Sequence, residues 1–217
     1  MAKTALPVLG RGKRALLSGR TGSGKSTLAN WLLARSPGYW IILNPKHTTA
    51  YNALPHSTTI KGLDLSAIEK AFHGGRDPSR FIVVNPSSVE ANKQTMDDFM
   101  LWLHENYSNV GLCCDELYTL HTNGTAGAGL IGWLTRGREL KQSFLGLTQR
   151  PAWLSQFLFS ESDYIAAMSL VLEKDRKRMV EMTGQGKFLE QMPPHYWRWY
   201  DVSKDKMRYF QPVPLTS

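Results

Sequence analysis

The feature that most constrains the fold is the octapeptide Gly19-Arg20-Thr21-Gly22-Ser23-Gly24-Lys25-Ser26, which fits the pattern G-x-x-x-x-G-K-[ST] at every fixed position. The apolar Ala15-Leu16-Leu17 precedes it and Thr27-Leu28-Ala29-Asn30-Trp31-Leu32-Leu33-Ala34 follows, so a short buried strand, a glycine loop and a helix are expected in that order. Glycines let backbone N–H groups turn inward, and the helix N-terminus adds its dipole, which together make a seat for phosphate. The loop is therefore expected to bind a nucleoside triphosphate through Gly19, Arg20, Thr21, Gly22, Ser23, Gly24, Lys25, Ser26 and Thr27. Lys25 bridges the β- and γ-phosphates, and the Ser26 hydroxyl is a Mg²⁺ ligand.

Beyond this loop, strand and helix patterns alternate. Residues 39–43, 81–84, 110–114, 143–148 and 164–172 read as strands, and Asn44-Pro45 and Asn85-Pro86 close the first two. Helices are expected over 63–72, from a cap at Ser87-Ser88 to about Tyr107, over 130–140, and briefly after Pro151. In the second of these, Met96, Phe99, Met100 and Leu103 fall at i, i+3, i+4 and i+7, one apolar stripe for the sheet. Residues 46–59 read as a polar loop, and 119–129 as a loop rich in glycine and threonine. This alternation gives an α/β fold with a mostly parallel sheet flanked by helices. The aromatic runs 196–202 and 207–212, about Ser203-Lys204-Asp205-Lys206, add a C-terminal β-hairpin. A length of 217 residues suits one domain, with the core at about 13–185 and the hairpin at about 195–213. Cys113 and Cys114 are adjacent on a strand, point to opposite faces and are expected to be reduced. No His, Cys or Asp spacing forms a metal site of its own, no apolar run is long enough for a membrane span, and the start lacks a signal-peptide pattern.

Leu112-Cys113-Cys114-Asp115-Glu116 is an apolar strand ending in two acids, the composition of a Walker B element. Asp115 at the strand end can hold Mg²⁺ through water beside Ser26. Glu116, one residue on, can act as base toward a water in line with the γ-phosphate. The strand at 81–84 intervenes in sequence between the loop strand and this one, and is expected to insert beside them in space. That arrangement fits the additional-strand, catalytic-glutamate division of P-loop NTPases, RecA-like in architecture.

Thr148-Gln149-Arg150-Pro151 ends the next strand, and with it the chain resembles the FtsK/HerA superfamily. That group of ring-forming DNA motors carries a Walker A, a Walker B ending in Asp-Glu and a Thr-Gln-Arg-Pro-type strand end, in this order. The resemblance implies an ATPase using ATP and Mg²⁺, with Gln149 as the polar sensor of the γ-phosphate or the attacking water. It also implies an arginine finger for the neighbouring subunit's nucleotide, Arg138 first and Arg136 second. By size and architecture the chain is most similar to the genome-packaging ATPases of tailless icosahedral viruses with an internal membrane, the tectivirus type. This implies double-stranded DNA as a backbone-bound partner, a homo-oligomeric ring, pentamer or hexamer, docking on capsid-vertex or viral membrane proteins, and residence in host cytoplasm and virion.

A formal charge of +8 and a pI near 9.5 accord with a polyanionic partner. Candidate DNA-facing segments are Lys174-Asp175-Arg176-Lys177-Arg178, Lys46-His47-Thr48-Thr49 and His121-Thr122-Asn123-Gly124. The first is read as a solvated helix face or a subunit contact before a DNA grip. His47, His121 and His195 read as ordinary surface residues. Trp197, Trp199, Tyr200 and Tyr209 can stack on bases or pack against the sheet. Two other functions fit a P-loop: a small metabolite or nucleoside kinase, and a secretion or filamentous-phage assembly ATPase. A kinase has no use for a water-activating Asp-Glu pair.

Overall fold

The computed structural model describes residues 6–73, 79–120 and 126–214. Strands form where short apolar runs are bounded by turn residues, and helices form between them. In chain order the elements are β1 (Arg14–Ser18), α1 (Lys25–Arg35), β2 (Tyr39–Leu43), β3 (Ser57–Lys61), α2 (Leu65–His73), β4 (Phe81–Asn85), α3 (Lys93–Asn106), β5 (Val110–Cys114), α4 (Ala128–Thr135), β6 (Ser143–Thr148), α5 (Gln156–Ser160), β7 (Tyr164–Ala167), α6 (Glu173–Thr183), β8 (Trp197–Asp201) and β9 (Lys206–Phe210).

All nine strands join one sheet, in the order β3-β4-β2-β5-β6-β1-β7-β8-β9. β1 to β7 pair in parallel, and the C-terminal hairpin β8–β9 adds to β7 antiparallel. Every residue of β1, β5 and β6 is buried, as expected of parallel strands covered on both faces. Side-chain alternation divides the core in two: Leu16, Leu112 and Cys114 face the layer with Met96, Met100, Leu103 and Trp133, while Ala15, Leu17 and Cys113 face Leu28, Leu32 and Trp31. Both cysteines are buried free thiols, one on each face. Gly111 in β5 is required by that packing, since a Cβ there would lie 2.4 Å from the Trp40 ring.

Several expectations change. β3 lies within the stretch read as a polar loop, because at the sheet edge Ser57, Thr58 and Thr59 need only one neighbour and stay partly exposed while Ile60 is buried. The strand that separates β1 from β5 is β6, and β4 lies beyond β2 on the far side. The strand expected over 164–172 stops at Ala167, and Met168 and Ser169 turn toward the glycine loop. α3 is capped by Asn92, whose side chain accepts from Thr95 N, five residues after the expected Ser87-Ser88. α4 ends at Thr135, and turns carry the chain to β6. Trp197, Trp199 and Tyr200 are buried in the hairpin, with Trp197 edge-on to Trp31 of α1 at 6.1 Å, so they pack as core; Tyr209 is half exposed.

Candidate active site

The sheet order brings the three motifs together. Because β6 lies between β1 and β5, with Ser18 opposite Thr148 and Cys114 opposite Gly146, the loops after all three parallel strands open at the same, C-terminal end of the sheet. They surround a cleft of about 260 Å³ lined by Thr21, Gly22, Gly24, Lys25, Ser26, Thr27, Lys46, Thr48, Asp115, Glu116 and Gln149.

The glycine loop is tied down on both sides, Gly19 N donating to Thr148 O at 3.1 Å and Arg20 N to Ser169 O at 2.9 Å. Gly24 stands at the N-cap of α1 with φ of 94°, in the left-handed region, and no side chain caps the helix. The first-turn N–H groups are thereby left to the cleft, as a phosphate seat requires. Lys25 is buried and folds back to Arg20 O at 3.3 Å. Its burial lowers its pKa, and the nearby Glu116 and Asp115 carboxylates oppose that. His195, read as a surface residue, supports the loop from behind, its Nδ1 3.1 Å from Ser23 O.

Asp115 and Glu116 are both buried at the end of β5. Asp115 Oδ2 accepts from the Tyr51 hydroxyl at 2.9 Å, and that hydroxyl also bonds to Ser26. Burial raises the Asp115 pKa, against the pull of the Tyr51 hydrogen bond. Glu116 has φ of 62° in the left-handed region, which turns its side chain away from the strand direction and into the cleft. There Glu116 Oε1 accepts from Lys46 Nζ and, at 2.5 Å, from Gln149 Nε2; the Gln149 carbonyl in turn accepts from the Thr21 hydroxyl at 2.5 Å. A continuous bridge thus runs Thr21–Gln149–Glu116–Lys46 across the mouth of the phosphate seat.

Lys25, Ser26, Asp115, Glu116 and Gln149 are therefore brought together. Arg136 and Arg138 are not: Arg138 lies beside Gly12 and Arg14 at the opposite end of the strands, and Arg136 follows Thr135, whose carbonyl accepts from Arg14. Arg138 is held by Asp163 at 3.2 Å, a carboxylate that also accepts from Lys13, whereas Arg136 is an exposed residue at the C-cap of α4. Neither can reach this chain's own cleft.

Of the DNA-facing candidates, 174–178 falls on α6. Lys177 pairs with Glu173 and Arg178 with Glu181 on its solvated side, whereas Asp175 is buried and accepts from Arg150 and from Ala152 N. His47 bonds to Pro86 O, and Lys46 enters the nucleotide cleft. His121, Thr122, Asn123 and Gly124 lie outside the described residues. Sequence reasoning placed Lys46 and Thr48 in a DNA-facing segment and did not single out Tyr51, because only strand order places the loop after β2 beside Asp115. Among the described residues, no group of three His, Cys, Asp or Glu could hold a metal and no helix is long and apolar enough to cross a membrane.

No family model matches the chain. It is 29% identical over 168 residues to the DNA packaging ATPase P9 of Enterobacteria phage PRD1, a match spanning 76% of this chain and 67% of that protein. Among solved structures, the genome packaging NTPase B204 from Sulfolobus turreted icosahedral virus 2, in complex with ATP-gammaS, aligns with a TM-score of 0.73 at 15% identity over 94% of this chain and 98% of that one. VirB4 of Thermoanaerobacter pseudethanolicus aligns with a TM-score of 0.70 at 14% identity, over 93% and 89%. The fold is thus a P-loop NTPase fold of the type seen in packaging ATPases, and the resemblance carried by the motifs extends over the whole sheet.

Proposed function

We propose that this chain is an ATP-hydrolysing motor that moves double-stranded DNA, its cargo a viral genome entering a capsid. The observation that carries the reading is the insertion of β6 between β1 and β5, which gathers a phosphate seat, two buried acids and a polar sensor around one cleft. The relative at 29% identity, a DNA packaging ATPase, supports the choice of cargo.

Site chemistry follows from the residues. The N–H groups of the loop and Lys25 hold the triphosphate. Ser26 and Asp115 would hold Mg²⁺: their oxygens share the cleft, and one Asp115 oxygen is already fixed by Tyr51. Two oxygen donors suit an ion that arrives largely coordinated by phosphate and water. When bound, Mg²⁺ neutralises charge between the β- and γ-phosphates. Glu116 takes a proton from the attacking water as its oxygen bonds to the γ-phosphorus and the bond to the β,γ-bridging oxygen breaks, releasing ADP and phosphate. Gln149, bonded to both Glu116 and the loop residue Thr21, couples the base to the phosphate seat. Arg136 or Arg138 acts on a neighbouring subunit's nucleotide, so the working form is a homo-oligomeric ring, pentamer or hexamer. That ring, built from single-domain subunits, grips the DNA backbone without reading bases, docks on capsid-vertex or viral membrane proteins, and passes from host cytoplasm to virion.

Steady-state ATP hydrolysis with and without linear double-stranded DNA, at low salt and across protein concentration, tests the proposal. Stimulation by DNA that rises steeply with concentration, abolished in Glu116→Gln with nucleotide binding retained, is expected. Turnover indifferent to DNA and linear in protein would overturn the motor.

A further inference from the structure

The glycine loop receives one bond from far down the chain. His195 stands 172 residues beyond Ser23, where the chain enters β8, and its Nδ1 lies 3.1 Å from Ser23 O. A carbonyl oxygen can only accept, so Nδ1 carries the ring proton. The ring fills the side of Gly24 where a side chain would stand, a Cβ there coming within 3.1 Å of Nδ1. His195 has φ of 62°, a left-handed conformation uncommon outside glycine, and it is held at this contact. Its mount is rigid. Trp197, two residues on, is buried, edge-on to Trp31 of α1 at 6.1 Å and stacked on Phe210 at 4.4 Å, so the start of β8 is fixed to the helix that follows the loop.

Peptide geometry turns this outer contact into an inner one. The peptide unit is planar and trans, and its C=O and N–H point in opposite directions. With Ser23 O drawn outward to His195, the Gly24 N–H of the same peptide is aimed toward the phosphate seat. Glycine accepts either sign of φ, so Gly24 by itself does not prevent this peptide from flipping and turning a carbonyl toward the phosphate. The remaining ties act elsewhere: Gly19 N and Arg20 N hold the start of the loop, and Ser23 N donates to Arg20 O at 3.2 Å. The Ser23 hydroxyl turns to Met168 Sδ at 3.8 Å. At the tip, a Cβ on Gly22 would meet nothing within 4 Å, so no packing steadies the backbone there. His195 holds the Ser23–Gly24 peptide itself.

Resting on the reading of this cleft as a nucleotide site, we propose that His195 is a positioning residue for the polyphosphate: by holding Ser23 O it keeps the Ser23–Gly24 peptide in the orientation that presents the Gly24 N–H to the bound nucleotide. The bond is the same before and during hydrolysis, so it strengthens binding and leaves the chemical step alone. It also ties the C-terminal hairpin to the phosphate seat.

Affinities for ATPγS and ADP, each with Mg²⁺, together with KM and kcat for ATP, test this in the wild-type chain, His195→Asn, His195→Phe and His195→Gly, with a thermal melt of each. Asn carries its Nδ2 on Cγ, as the imidazole carries Nδ1, and it adopts the left-handed conformation readily. Phe keeps a ring without the donor, and Gly relaxes the backbone without the donor. Position 195 is exposed, so all three variants should fold. Expected is a roughly three- to tenfold loss of affinity for both nucleotides in His195→Phe and His195→Gly, with KM rising in step and kcat within about twofold, while His195→Asn stays within about twofold of wild type. A ring that merely packs would reverse the order, with Phe near wild type and Asn impaired. Relief of the backbone would make Gly behave as Asn does. Either result, or wild-type affinity in all three variants, would overturn the positioning role while leaving the nucleotide site intact. A wild-type chain that bound neither nucleotide would overturn the site and this inference with it.

Discussion

Replacing Tyr51 by Phe removes one oxygen atom from a fully buried side chain and tests how Asp115, the proposed Mg²⁺ ligand, is held. The Tyr51 hydroxyl lies 2.9 Å from Asp115 Oδ2, and burial pushes its pKa well up, so it stays a donor throughout the working pH range. A hydrogen bond to a charged group is worth about 1.5–3 kcal/mol. Part of that is lost to the nucleotide-free fold. About 1 kcal/mol corresponds to a fall of about 2–4 °C in melting temperature for a chain of this size. The remainder, about 0.5–2 kcal/mol, falls on the geometry Asp115 presents to Mg²⁺, equivalent to a roughly 2- to 30-fold rise in the Mg²⁺ needed for half-maximal turnover at saturating ATP. Turnover at saturating Mg²⁺ should change by less than about threefold, since Glu116 and Gln149 are untouched. Hydrolysis measured against free Mg²⁺, with Mn²⁺ binding followed by electron paramagnetic resonance, separates the two shares. A normal Mg²⁺ and Mn²⁺ response beside the expected fall in melting temperature would make the hydroxyl a packing element only and refute this reasoning.

Two further outcomes follow from the same geometry. Burial raises the Asp115 pKa, so on a pH rise the unfolded chain releases this proton first, and the folded state loses stability as pH climbs from the ordinary carboxylate range through the raised value. Asp115→Asn should therefore melt higher than wild type near about pH 8, with the gap closing toward about pH 4, while losing Mg²⁺-dependent turnover; a lower melt for the variant at high pH would contradict the burial argument. In trans action is tested by mixing arginine variants with Glu116→Gln subunits. Arg136→Ala should lose about 10³-fold in turnover and regain part of it on mixing. Arg138→Ala should mainly loosen the Asp163 cluster, because its guanidinium is already held on its own chain. Absence of recovery with assembly intact, measured by light scattering, would count against a finger at either position.

Local chemistry was legible in the chain before any fold was known. An octapeptide specifies a phosphate seat because its glycines, lysine and serine act within one turn of backbone, and Asp115-Glu116 and Gln149 were legible as strand ends because an apolar run followed by polar residues is a local pattern. The apolar stripe of α3 and the aromatic hairpin were equally readable, since side-chain periodicity is set by the backbone conformation alone. Tertiary structure decided which strand ends meet. Neighbours in the sheet such as β1 and β6 are more than 100 residues apart, and their pairing depends on how helices cover both faces, which no short window of sequence contains. For this reason the edge strand β3 was read as loop, and the pairing of Arg138 with Asp163 was not foreseen. Nothing local marks Tyr51, and Lys46 stood out only as one residue of a polar, DNA-facing candidate loop. They become part of the site only because β2 pairs with β5, which sets the loop after β2 against the two buried acids, where a hydroxyl and an ammonium meet carboxylates shielded from water.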